Sequence, residues 1–350
     1  MKNLSWFNKL AFFCNIVLTI LTFLAYFSPF LAPNWFPFLS VLTLILPLFL
    51  IVNGLFFVYW FLQFKRQMVL SGLVLILGIT FISKFYKFSS KDIETSDKDF
   101  VVMSYNVRLL NLFDWIPRDN VAQDILYFVN ENNPDVLCIQ EYSTSASAKI
   151  DLKIYPYRAI FMHGNKIRTG QAIFSKFPIV NEGELAFPES NNNAIFADLK
   201  IGKDLVRVYN IHLQSIKISP DVKEINENVE GINQEKSQII FNRISEAFKK
   251  QQQQGEIIMN HKKSCKYPIV ICGDMNNSAF SYVYRSIKGN MQDCFEEAGK
   301  GFGQTYSFKY YPARIDYIFA DSKMRVKSFT NFPDFVNSDH LPVMTRLSID

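Results

Sequence analysis

The sequence predicts an α/β domain, with helices packed on sheets, preceded by about three membrane-spanning helices. Three observations lead there. Residues 1–90 hold six basic residues (Lys2, Lys9, Lys65, Arg66, Lys84, Lys87) and no Asp or Glu. No charge of either sign occurs between Lys9 and Lys65. Beyond residue 100, short apolar strand-like runs alternate with helical stripes, which is how helices packed on sheets are written.

The formal charge of +5 therefore belongs to the N-terminal segment. Residues 91–350 keep 31 of the 37 basic residues against all 32 acidic ones, a net of −1. A pI near 8.7 is then no sign of a nucleic-acid binder. The apolar segment argues against a wholly soluble protein, and the composition against a disordered tail or a small disulfide scaffold.

One crossing needs about 20 apolar residues, so the uncharged run fits two spans, about 10–30 and 38–62. Between them Pro29, Pro33 and Pro37 stop a helix. A third apolar run, about 67–83, is flanked by Phe85, Tyr86 and Phe88, which suit an interface. The first 88 residues thus read as a transmembrane segment, 89–99 as a polar linker, and 100–350 as the domain. Lys2 and Lys9 before the first span, and Lys65 and Arg66 between the second and third, put those points in the cytoplasm. Three spans then place the domain outside the cytoplasmic (inner) membrane, a placement that Lys84, Lys87 and Lys91 oppose. Cys138 and Cys272 fall in apolar runs and read as buried thiols. Cys265 and Cys294 could pair in an oxidising compartment, which sequence does not decide.

In chain order, Phe100–Asn106 reads as a strand. Val121, Ile125, Phe128 and Val129 form a helical stripe over Asn120–Glu131, stopped at Asn132-Asn133-Pro134. Asp135–Glu141, Leu205–Leu213 and Pro268–Cys272 are further strands. Ser237–Lys250 is helical, with Ile240, Phe241, Ile244 and Phe248 on one face. The glutamines 251–254 read as a solvated loop. Polar residues gather where strands end: Asn106, Glu141, His212, then Asp274 and Asn276. Asp316 and the run Ser338-Asp339-His340 follow near the C-terminus. A single strand-end Asp or Asn is an ordinary turn residue, but six such places with two of the four histidines are not six turns. In α/β sheets such ends collect ligands. His163 and His261 read as surface or loop histidines.

The ordered blocks Ser104-Tyr105-Asn106, Gln140-Glu141, Asn210-Ile211-His212-Leu213, Gly273-Asp274-Met275-Asn276, Arg314-Ile315-Asp316-Tyr317 and Ser338-Asp339-His340 resemble the motif set of the endonuclease/exonuclease/phosphatase superfamily. Gly170–Ile179 is similar to that family's central strand. The resemblance spans about 100–350. It implies a four-layer α/β/β/α sandwich, DNase I-like, and phosphodiester hydrolysis with Mg²⁺, or Mn²⁺ in its place. It also implies roles. Glu141 would be the main metal ligand, with Asn106 beside it and Asp339 as a further carboxylate. Asp274 would position or deprotonate water, and Asn276 would donate its amide. His340 would contact the phosphate, its tautomer fixed by Asp316. His212 would contact phosphate or protonate the leaving group. Hard oxygen donors without a Cys/His cluster agree with Mg²⁺ rather than structural zinc.

Tyr311–Asp316 lacks the Pro-Ser-Trp-Cys-Asp-Arg block of inositol 5-phosphatases, and His212 differs from the abasic-site enzymes. A nucleic acid or a phospholipid headgroup remains as the substrate, with a membrane but no protein partner inferable. The alternative from another class is a catalytically inactive, membrane-tethered phosphate-binding module.

Overall fold

The computed structural model describes residues 4–145, 150–165, 167–216, 234–308 and 311–349, so Lys2 lies outside it. The chain divides into two compact units, one of residues 1–85, 216–252 and 278–285, the other of 86–215, 253–277 and 286–350.

In the first unit, α1 (Trp6–Phe27) starts where the Ser5 side chain accepts the Asn8 N–H. A proline opens α2 (Pro37–Leu62) at its first turn, where no N–H is needed. Both helices are long and apolar enough to cross a bilayer. The third expected span is not one straight helix: α3 (Met68–Leu77) and α4 (Ile79–Phe85) meet at a 60° bend. Gly78 lies at the bend. The Tyr26 hydroxyl donates to the Val74 carbonyl there, and a side chain at residue 78 would collide with it. Polar side chains tie the helices from within. Asn15 donates to Ser71 at 2.9 Å, Trp60 Nε1 to Asn15 at 3.1 Å, and Asn53 to Thr22 at 3.0 Å. In an apolar solvent such bonds replace the missing hydrophobic drive between helices.

The second unit is a two-sheet sandwich. One sheet runs β11-β12-β1-β2-β4-β3, built from β1 (Asp99–Asn106), β2 (Val136–Ser143), β3 (Tyr157–His163), β4 (Thr169–Ser175), β11 (Met324–Asn331) and β12 (Val343–Ile349). The other runs β5-β6-β7-β8-β10-β9, from β5 (Ile179–Ala186), β6 (Asn193–Ile201), β7 (Asp204–His212), β8 (Ile269–Asp274), β9 (Gln292–Asp293) and β10 (Asp316–Ala320). Alternation along each strand assigns the faces. Phe100, Val102, Val136 and Cys138 meet Val206, Val208, Val270 and Cys272 between the sheets. Met103, Tyr105, Leu137 and Ile139 turn outward to Val121, Ile125 and Val129 of α5 (Val121–Asn132). A second helix, α6 (Gln234–Lys263), brings His261 against Tyr209 and Phe196 of the other sheet's outer face. These are the four layers the resemblance implies.

Each sheet contains one parallel pair joined through a helix: β1–β2 through α5, and β7–β8 along the stretch that holds α6. Parallel pairs aim their carboxyl ends the same way, and those four ends carry the polar residues of the motif blocks.

One reading of the sequence is corrected. Glutamines 251–254 lie inside α6, not in a solvated loop, and Gln251, Gln252 and Gln254 are buried. Glutamine is a good helix former, and main-chain donors meet two of these amides: Gln254 Oε1 accepts the Gln214 N–H at 2.8 Å and Gln252 Oε1 that of Asn34 at 3.0 Å. The polar stretch 89–99 is exposed and irregular as far as Lys98, and hydrogen bonds hold it to the rest of its unit. Lys91 N–H reaches the Ala298 carbonyl, Ile93 N–H the Lys327 carbonyl, and buried Lys327 lies 2.8 Å from Asp99. Cys138, Cys272 and Cys294 are buried free thiols, and Cys265 is also free.

Candidate active site

Strand register brings the site together. His212 ends β7 directly opposite Asp274, which ends β8, and Asp316 opens β10 opposite the same Asp274. Gly273, at φ 135°, makes the approach possible, since any side chain there would strike the main chain of Ile211. In the other sheet Asn106 ends β1 beside Gln140. Glu141 follows at a break in the β2–β4 register and takes a left-handed φ of 51°. That bulge re-aims its side chain. Between the sheets, Gln140 donates to Ser104 at 3.1 Å and to Asn210 of β7 at 2.6 Å. The Asn210 amide in turn donates to the Ile139 and Ala172 carbonyls, fastening the two halves below the site.

All eight residues singled out in the sequence converge. Asn106 Nδ2 reaches Glu141 Oε1 at 3.3 Å and Asp274 Oδ2 at 3.1 Å, while its Oδ1 accepts the Arg108 N–H. The Asn276 main-chain N–H donates to Asp274 Oδ1 at 2.7 Å, and its amide to Asp274 Oδ2 at 3.1 Å and to the Leu213 carbonyl. His212 Nε2 lies 3.6 Å from Asp274 and 3.8 Å from Glu141. His340 Nδ1 faces both Asp316 oxygens at 3.0 and 3.1 Å, leaving Nε2 3.6 Å from Asp274. Ser338 Oγ donates to the Asn106 carbonyl at 2.8 Å, anchoring the last loop to the first strand.

Three further residues belong to this architecture. Arg108 Nε lies 3.4 Å from Asp339. Thr305 Oγ1 accepts the Ile315 and Asp316 N–H groups. Tyr306 meets the His340 ring edge-on at 4.9 Å. Arg108, two residues beyond a strand-end Asn, was open to notice; Thr305 and Tyr306 sit in no apolar or charged pattern.

The protonation states follow from burial and neighbours. Burial raises Asp274 to about 6, helped by Asp316 and opposed by His340 and His212. Burial also raises Glu141, against His340 and the Asn106 amide. For His340, burial acts downward, but Asp316, Asp274 and Asp339 outweigh it and hold the imidazole up at about 10. His212 is lowered, chiefly by burial. His340 is thus a cation at neutral pH and His212 is neutral.

Among the described residues, Asp274, Asp316 and His340 bring ligand atoms within 4.8 Å of one another. An imidazolium with Nδ1 committed to Asp316 is a poor metal ligand, so this trio suits proton traffic. Glu141 and Asp339 offer hard oxygens, and the Asp339 charge is close enough to act on Glu141. Glu141's raised affinity for a proton marks a half-buried carboxylate short of positive charge, the condition a divalent cation relieves. The donor set fits Mg²⁺.

Comparison with known proteins agrees with this geometry. Residues 103–340 match the sequence profile of the endonuclease/exonuclease/phosphatase family, and residues 8–85 match that of a domain of unknown function, DUF8431. No curated protein is significantly similar to the chain. Among solved structures, an endonuclease/exonuclease/phosphatase family protein of Bacteroides thetaiotaomicron is 18% identical with a TM-score of 0.52, over 73% of this chain and 100% of that one. TDP2 of D. rerio, complexed with single strand DNA product, is 17% identical with a TM-score of 0.53, over 72% of this chain and 100% of that one. The human Nocturnin catalytic domain with bound sulfate is 17% identical with a TM-score of 0.51, over 74% and 96%. At these identities the solved structures speak to the shared sandwich. The profile match runs from β1 to His340 over well more than half of the sequence, and so this chain belongs to the endonuclease/exonuclease/phosphatase family.

Proposed function

We propose that the protein is a membrane-anchored, Mg²⁺-dependent phosphodiesterase. One observation carries the reading: Asp274 lies 3.6 Å from both His212 and His340, while its neighbour Asn106 links it to Glu141. Family membership and the phosphoester chemistry of its members support it.

Glu141 and Asp339 would hold the cation, with Asn106 joining Glu141 to Asp274. The Asn106 oxygen accepts the Arg108 N–H on one lone pair and keeps the other for the cation. When bound, the ion neutralises charge on the phosphate oxygens. Asp274, raised toward neutrality and oriented by two Asn276 donors, takes the proton of the attacking water. His340 stays an imidazolium because Asp316 holds Nδ1, and Nε2 remains to donate to the phosphate as charge develops. His212, being neutral, donates one hydrogen bond to the phosphate or the leaving oxygen. Water adds to phosphorus, one P–O ester bond breaks, and the leaving oxygen takes a proton from solvent, balanced by the proton that Asp274 took from the attacking water and releases to solvent. The Lys/Arg pattern of the N-terminal segment supports a domain outside the cytoplasm.

The full chain is assayed with Mg²⁺ against DNA, RNA, sphingomyelin and phosphatidylinositol phosphates. Hydrolysis of one class is expected. It should fall roughly 10²–10³-fold in His340→Ala, the loss typical for removing one charge-stabilising donor. No hydrolysis of any class, or hydrolysis indifferent to His340→Ala, would sink the proposal and favour a phosphate-binding module.

A further inference from the structure

Residues 108–116 form a loop whose shape packing imposes. Arg108, Leu109, Leu110 and Asn111 are four successive non-glycine residues with φ between 45° and 60°. That conformation is unfavourable for every residue with a side chain, and it persists where the surroundings over-determine it. Leu110, Leu112 and Ile116 pack into the core beneath α5. Asn111 closes the loop from inside: its Nδ2 donates to the Ile116 carbonyl and its Oδ1 accepts the Ile116 N–H, both at 2.9 Å. The residues between go the other way. Phe113 is 49% and Trp115 44% exposed, their ring centroids 5.0 Å apart at 57°. The Arg108 guanidinium lies 4.7 Å over the Trp115 ring, and its Nε is 3.4 Å from Asp339. A continuous series, Asp339–Arg108–Trp115–Phe113, leads from the site's carboxylates to two solvent-facing aromatic rings.

A rigid loop that tucks in Leu110 and Leu112 but holds Phe and Trp in water gives up apolar burial that a partner can restore. A nucleobase would need a free ring face. Trp115 carries Arg108 on its own, and the Phe113 ring tilts against it, so the pair is no parallel slot. Single-strand binding also draws on a positive groove, and residues 91–350 carry 31 basic against 32 acidic residues. A lipid surface asks for what is present: Trp and Phe at headgroup depth with an arginine beside them. The same chain holds two helices long and apolar enough to cross a bilayer.

We infer that Phe113 and Trp115 dock on a phospholipid bilayer surface, and that the bond cleaved is a phosphodiester of a phospholipid headgroup. This rests on the phosphodiesterase reading above and names its substrate class. Arg108, shared between Trp115 and Asp339, couples the docked loop to the site.

The full chain, reconstituted in vesicles of phosphatidylcholine, phosphatidylethanolamine and phosphatidylglycerol with Mg²⁺, is given two substrates: the vesicle lipid itself and bis(4-nitrophenyl) phosphate in the aqueous phase. In Phe113→Ala and Phe113→Ser the ratio of lipid to soluble turnover should fall about tenfold or more, the share one large apolar side chain holds when buried. Phe113→Trp should restore it. An unchanged ratio overturns the docking. Vesicle lipid left intact by the wild type, with turnover of an oligonucleotide that Phe113→Ala weakens, overturns the lipid assignment in favour of base stacking. If the wild type cleaves neither ester, the phosphodiesterase reading fails, and docking is decided separately by fluorescence. Brominated acyl chains should quench an emission component that Trp115→Phe removes; equal quenching in both proteins overturns it.

Discussion

Asp274 is the residue on which the site turns, because the interior works against its charge while two histidines and Asn276 support it. The amide in Asp274→Asn keeps the shape but has no basic oxygen to take a proton. Hydrolysis of bis(4-nitrophenyl) phosphate should drop to background while the melting temperature stays near wild type. Glu141→Gln should fail differently, through a weaker cation: raising Mg²⁺ should recover part of its activity and none of that of Asp274→Asn. Equal recovery of the two, or of neither, would separate Glu141 from the metal. His212 is tested by leaving group. If it donates its hydrogen bond to the departing oxygen as charge builds there, His212→Ala should cost much less on a nitrophenyl ester than on an unactivated diester. Equal losses would leave it a phosphate contact.

Among the elements, β1 depends on a charge held beneath its start. The Asp99 side chain is buried, and although burial raises its carboxyl, Lys327 and the Ser96 N–H and hydroxyl outweigh that and hold it below the usual range. A carboxylate with a depressed folded value stabilises above its unfolded pKa, near 4, and loses that contribution as pH falls through the folded value. Asp99→Asn should therefore flatten the acid limb of the melting-temperature profile. At pH 7 it should cost about 3 kcal/mol or more, because Lys327 is left buried without its counter-charge. A variant that tracks the wild type from pH 7 to pH 3 would refute this. The strands and helices around this point were legible because apolar runs have a period, and because strands that end on Asn, Glu, His or Asp place them in plain view. Gln251–Gln254 was not legible, since a buried amide looks like a solvated one until its partner, far along the chain, is known. Nor was the bend at Gly78, because glycine is common in apolar helices and the groups that crowd it, the Tyr26 hydroxyl and Leu50, come from far along the chain. Arg108–Asn111 contains no glycine to announce its left-handed turn.

For the molecule as a whole, the expectation that the catalytic unit lies outside the cytoplasm has a direct measurement. Alkaline phosphatase fused after residue 90 should be active and a cytoplasmic reporter at the same point inactive; the reverse pattern would invert the topology. The order of the strands carries a consequence for synthesis. In its sheet β12 lies between β11 and β1, pairing Val343–Ser348 with Asp99–Ser104. The first strand to leave the ribosome thus waits for the last. His340 and its Asp316 partner also come late, and Ser338 then ties the final loop to Asn106. Through most of its synthesis the nascent chain carries half of the candidate site. The two halves of the site meet when β12 slides into the gap between β11 and β1.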